Sequence, residues 1–153
     1  MTQSFQIPAR LPSLNEMIAA NRRNKYAGAK MKRDTEEFII TQIFEQKLKA
    51  VEQPCIVHMV FNEPTRKRDA DNVESAKKFI LDALVRANVI DGDSPKYVVA
   101  SPSFTVYEHD SAFVTVTIVE GERGYLHSLL RTASETIIGA DHGREIQVPQ
   151  PTP

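Results

Sequence analysis

The spacing of apolar positions changes several times along the chain, and each change marks an element. Ser4 to Ile7 alternates and reads as a short strand, closed by Pro8 and Pro12. Ser13 with Glu16 three residues later is a capping-box pattern, so a helix is predicted from about Leu14 to Arg23. Ile40, Ile43, Phe44, Leu48 and Val51 recur at helical intervals and predict a longer helix over Ala29 to Ala50, with Pro54 ending it. Cys55 to Phe61 is nearly all apolar or β-branched between Pro54 and Pro64, as in a strand buried on both faces; His58 is its one polar side chain. Val73, Ala76, Ile80, Ala83, Leu84 and Ala87 stripe one face of a third helix. After the turn cluster Asp91-Gly92-Asp93-Ser94-Pro95, Tyr97–Val106 and Ala112–Val119 are expected to form a hairpin that turns near Glu108-His109-Asp110. Leu126, Leu129, Leu130, Ala133 and Ile137 mark a last helix, about 123–138. Residues 141–153, with three prolines and no period, are expected to be a disordered tail. This order predicts an α+β fold: a single small domain over 1–140, with a mixed β-sheet packed by helices.

Composition narrows the function classes. No apolar run approaches the roughly 18 residues that a membrane span needs, so no membrane partner is expected. The opening Met1-Thr2-Gln3-Ser4 lacks the order of a secretory signal, which leads to an expected cytoplasmic location. Cys55 is the single cysteine, which excludes an internal disulfide and a cysteine zinc cluster within one chain; it reads as a buried structural thiol. The net charge of −1 conceals segregation: residues 1–33 carry seven Arg or Lys against one Glu, whereas residues 108–153 carry three against seven acids. A basic arm on a near-neutral protein suits local contact with a polyanion. Arg22, Arg23, Lys25, Lys30, Lys32 and Arg33 lie within twelve residues around Tyr26 and Gly28, either gripping a DNA backbone or forming a solvated link between helices.

Chemistry concentrates in Arg66-Lys67-Arg68-Asp69-Ala70-Asp71-Asn72, between the buried strand and the third helix. In an extended segment, residues i and i+2 point the same way, so Asp69 and Asp71 can present oxygens to one hard divalent cation while the basic neighbours meet a phosphate. The competing reading makes Asp71 a helix N-cap paired with Glu74. A second acidic turn, Asp91-Gly92-Asp93, follows the third helix. None of the four histidines has metal-site spacing, and neither Ser75 nor Ser94 has an evident base, so a serine nucleophile is disfavoured.

Arg68-Asp69-Ala70-Asp71-Asn72, then Leu81-Asp82-Ala83-Leu84, then Asp91-Gly92-Asp93-Ser94, resembles the three blocks of RusA-like Holliday junction resolvases of bacteria and phages. The likeness covers about Cys55 to Val119. It implies that Asp69, Asp71 and Asp93 ligate magnesium, with manganese as a possible substitute, and that a lysine on the following helix takes part in catalysis. Ser75 stands where that lysine is often found; counting back four from Asp82 gives Lys78 instead, with Lys77 beside it. The block's two acids are adjacent in the family, whereas Gly92 separates Asp91 and Asp93 here, and Asp93 is the one that precedes the serine. Arg66, Lys67, Arg68 and Lys77 join the basic cluster as candidate DNA contacts. The activity implied is magnesium-dependent resolution of four-way junctions in DNA recombination and repair, by a homodimer whose two equivalent sites cut symmetric strands. A nuclease of the same fold acting on flaps or other branched DNA, and a catalytically silent DNA-binding module, are the alternatives.

Overall fold

The computed structural model describes residues 1–139, and the segment expected to be a tail lies outside them. The elements are β1 (Thr2–Ile7), α1 (Leu14–Arg23), α2 (Lys25–Glu45), β2 (Cys55–Asn62), α3 (Ala70–Glu74), α4 (Lys77–Arg86), β3 (Val98–Ala100), β4 (Ser103–Val106), β5 (Phe113–Glu120) and α5 (Arg123–Gly139). They form a five-stranded mixed sheet packed by helices, the α+β architecture expected.

The apolar run of β2 makes it the central strand. β5 pairs with it antiparallel on one side and β1 follows β5, while β3 and β4 pair with it in parallel on the other. The expected hairpin therefore does not form: β4 and β5 flank β2, and residues 107–112 cross from one side to the other. Residues 97–106 are also two strands rather than one. Pro102 has no N–H to give a ladder, although its carbonyl accepts the Met59 amide at 3.0 Å.

One face of the sheet carries the core. Phe5, Val116 and Met59 stand in one cross-strand row, and Ile7, Val114 and Phe61 in the next. Ile39 and Ile43 from α2 close over them, with Phe79, Ile80, Ala83 and Leu84 from α4. Burial of each large side chain stabilises the fold by about 1.5–3 kcal/mol. The opposite face is more polar, with Ser4, Thr117 and His58 in register. Leu126 of α5 is fully buried, but Phe104 on β4 remains half exposed beside His58.

Two helices differ from their sequence expectation. α2 starts at Lys25, four residues early, because the side chain of Asn24 accepts the Ala27 amide at 2.8 Å. Asn24 is also the C-cap of α1, so one extended residue joins two helices at a corner. α2 ends at Glu45, well before Pro54. Lys47 adopts a left-handed φ of 57°, and the Leu48 and Lys47 amides return to the carbonyls of Ile43 and Phe44, a Schellman stop. The buried face of α2 is Glu36, Ile39 and Ile43, leaving Phe44 exposed. The third helix is interrupted between α3 and α4. Ala76 donates to Val73 and Phe79 to Ala76, both tightened three-residue bonds, while the Ser75 hydroxyl bonds back to the Asn72 carbonyl at 2.8 Å.

Candidate active site

The loop from Glu63 to Asn72 leaves the C-terminal end of β2 and enters α3, at the strand ends where ligands of open sheets commonly bind. Its charges divide by partner. Arg68 is turned inward: its guanidinium pairs with the buried Glu63, donates to the Leu11 carbonyl at 3.0 Å and lies 3.7 Å from Glu16. Tyr107, just past β4, donates its hydroxyl to the Arg68 carbonyl at 3.0 Å. Asn72 accepts the Asn15 amide at 3.1 Å and so satisfies a free N–H in the first turn of α1. Arg68 is thus a structural anchor rather than a solvent-facing cation, which corrects its expected role as a DNA contact.

Asp69 and Asp71, between these anchors, are both exposed. Asp69, not Asp71, occupies the N-cap of α3, and its side chain makes no capping bond. Glu74 does not complete a capping box; it accepts the Thr105 hydroxyl at 2.9 Å instead. Neither aspartate has an ion pair among the described residues, and Arg66 and Lys67 beside them are exposed and likewise unpaired. A rigid backbone therefore carries two carboxylates that the fold does not consume.

Lys78 is the second residue of α4. Its ammonium contacts Asp93 at 2.6 Å and Asp82 at 2.8 Å, bringing the second and third sequence blocks together. Hydrogen bonds to Asp82 and then Asp93 hold the ammonium well above the ordinary lysine range, and the same ammonium holds the Asp93 carboxyl below the ordinary carboxylate range. The contact with Asp82 spans one helical turn, and the contact with Asp93 spans fifteen residues. Lys77 is half-buried and has no ion pair among the described residues. Asp91 instead lines a cavity of about 220 Å³ with Cys55, Lys96 and Tyr97. Gly92 is not in a left-handed conformation; a Cβ there would fall 2.9 Å from the Tyr97 ring, so close packing rather than chain reversal requires glycine.

The expected convergence of Asp69, Asp71 and Asp93 is not seen. Among the described residues no three His, Cys, Asp or Glu side chains form a group able to hold a metal ion. Asp71 and Lys78 are seven residues apart on the interrupted helix, about 10 Å along its axis at 1.5 Å per residue, and Asp93 is held at the Lys78 end.

The Lys78 cluster extends through Lys32 to Glu36 and Arg86, two residues that the sequence did not single out. Lys32 lies 3.5 Å from Asp82 and 3.9 Å from Glu36, and Arg86 bonds Glu36 at 2.9 Å. Glu36 is 4% exposed, and its second carboxylate oxygen has no hydrogen-bond partner among the described residues. Its i,i+4 spacing from Lys32 was visible in the sequence, but Arg86 is fifty residues away. In the basic cluster, Lys30 pairs with Asp34 at 2.6 Å and Lys32 is engaged as described, whereas Arg22, Arg23, Lys25 and Arg33 carry no ion pair among the described residues. No helix of the described residues is long and apolar enough to cross a membrane. No family model matches the chain, and no curated protein matches it at a significant level.

Proposed function

We propose that the chain is a magnesium-dependent, structure-selective endodeoxyribonuclease that resolves four-way DNA junctions by paired nicks, acting as a homodimer. The observation that carries the reading is the pair Asp69 and Asp71: exposed, neither side chain capping α3, and placed at the start of α3 between Arg68 and Asn72, which tie this segment to α1. Magnesium is commonly held by one or two carboxylates together with waters and substrate phosphate. Asp69 and Asp71 offer that donor set, with Arg66 and Lys67 alongside for the phosphate, and manganese can use the same oxygens. An ion held there supplies a hydroxide nucleophile and offsets charge on the phosphate in the transition state. Lys78, kept protonated by its two carboxylates, contributes a fixed positive charge rather than a base. Asp93 bonds Lys78 through one carboxylate oxygen, which leaves its other oxygen as the one that could join a ligand set.

The Lys78–Asp93 pair also favours a second reading, a DNA-binding module without catalysis, because the third carboxylate is neutralised in place. Purified protein incubated with a labelled immobile four-way junction separates the two. Cleavage in magnesium or manganese supports the nuclease, and binding without cleavage in either metal supports the silent module. Flap and linear duplex controls in the same assay rank the branched substrates.

A further inference from the structure

We infer that the corner between α1 and α2 is a docking site for an unpaired nucleobase, with Tyr26 as its stacking platform and Arg22, Arg23 and Lys25 as the cations that take the neighbouring phosphates. The inference rests on the reading of the chain as a DNA-binding protein and adds a ligand class to it.

Tyr26 is 74% exposed, the highest of the exposed large hydrophobic side chains. It sits in the first turn of α2, directly after the one-residue joint at Asn24. That joint is stiff: the Asn24 amide donates to the Ala20 carbonyl at 3.4 Å and its side chain caps α2. Gly28 tightens it further, since a Cβ there would lie 1.7 Å from the Asn21 side-chain oxygen and 3.5 Å from its Cα. The capped joint fixes where the backbone of Tyr26 sits, and the exposed ring leaves a face open for a base to stack on. No packing requirement of the fold explains an aromatic at this position.

Charge selects the occupant. Arg22, Arg23 and Lys25 surround the joint without an acid among them, and the Lys25 ammonium lies 5.3 Å from the Tyr26 ring centroid. Cations beside a stacking ring are the combination that single-stranded nucleic acid uses, phosphate on the charges and base on the ring. Arg22, Arg23 and Lys25 carry no ion pair among the described residues, so their charges are open to phosphates on either side of a base stacked on Tyr26.

The test compares full-length wild type, Tyr26→Ala and Tyr26→Phe, without divalent metal, for binding to labelled oligothymidylate, blunt duplex and a four-way junction. Removal of one base–aromatic stack is expected to weaken oligothymidylate binding by about 5- to 150-fold, with duplex binding changed less than about twofold and Tyr26→Phe close to wild type. Because Tyr26 is exposed, the variants should fold, which circular dichroism checks. Unchanged oligothymidylate affinity in Tyr26→Ala, an equal loss on duplex, or a change in oligomeric mass would each overturn the inference. Wild type that binds the junction but not oligothymidylate overturns it and leaves the nuclease reading standing. Tyr26-dependent binding with no metal-dependent cleavage of the junction does the reverse.

Discussion

Arg68 and Asp69 are adjacent, yet one charge is fastened inside the protein and the other stands in solvent, and substitution should separate the two roles. Arg68→Ala leaves Glu63 buried without its partner and frees the loop from Leu11, so the loss of stability should be about 3–5 kcal/mol, as for other broken buried pairs. Urea unfolding measures it; a loss below about 1 kcal/mol would return Arg68 to the surface cations. Asp71→Asn should leave the unfolding midpoint nearly unchanged while abolishing metal-dependent cleavage and keeping or tightening junction binding. Asp93→Asn should lower cleavage by orders of magnitude. Asp91→Asn, which has no bond to Lys78, should cost about tenfold at most. The reverse ranking of these two, measured at saturating and at limiting magnesium, would move the third ligand to Asp91. The sequence showed which residues of this loop are acidic and basic. It did not show their division of labour, because Arg68 and Asn72 find their partners, the Leu11 carbonyl and the Asn15 amide, fifty-seven residues away in each case.

Local patterns that complete themselves within a few residues were legible; those that depend on a distant neighbour were not. Ser13 caps α1 as its pattern implied, its hydroxyl accepting the Glu16 amide at 3.3 Å, although the Glu16 carboxylate takes Arg10 and the Ser13 hydroxyl rather than closing the box on the Ser13 amide, and β2 is the buried strand its composition implied. The early stop of α2 was invisible because its left-handed residue is Lys47 rather than glycine. A side chain in that conformation costs about 1–2 kcal/mol, so Lys47→Gly should raise stability by up to about 1 kcal/mol once the added freedom of the unfolded chain is offset. Thermal or urea unfolding would show it, and a loss of stability would mean that the lysine side chain contributes packing there. The hairpin expectation failed because β2 takes a partner on each side, a long-range choice that alternation within residues 97–119 does not encode. Burial in β2 also fixes the chemistry of Cys55, whose thiol is pushed up to about 11 by desolvation. Iodoacetamide at pH 8 should therefore label the folded protein far more slowly than the urea-unfolded chain; equal rates would show that the start of β2 opens readily.

Across the whole molecule the basic side chains are not one uniform surface. Arg68 is internal, Lys30 and Lys32 are paired, and Arg22, Arg23 and Lys25 sit at the α1–α2 corner with Arg33 further along α2, while Arg66 and Lys67 precede the two open carboxylates. The proposed nuclease would meet DNA phosphates with these unpaired cations. A homodimer places two such sites on symmetric strands, and light scattering at assay concentration should give twice the 17.2 kDa mass of the chain. Whether this one small domain cuts branched DNA through Asp69 and Asp71 is decided by cleavage of a labelled immobile four-way junction by wild type and by Asp71→Asn, in magnesium and in chelator, beside linear duplex. Wild type should make paired symmetric nicks in magnesium only and cut duplex little, and a folded, junction-binding Asp71→Asn should make none; wild type that binds the junction and leaves it intact in both magnesium and manganese would rule the nuclease reading out.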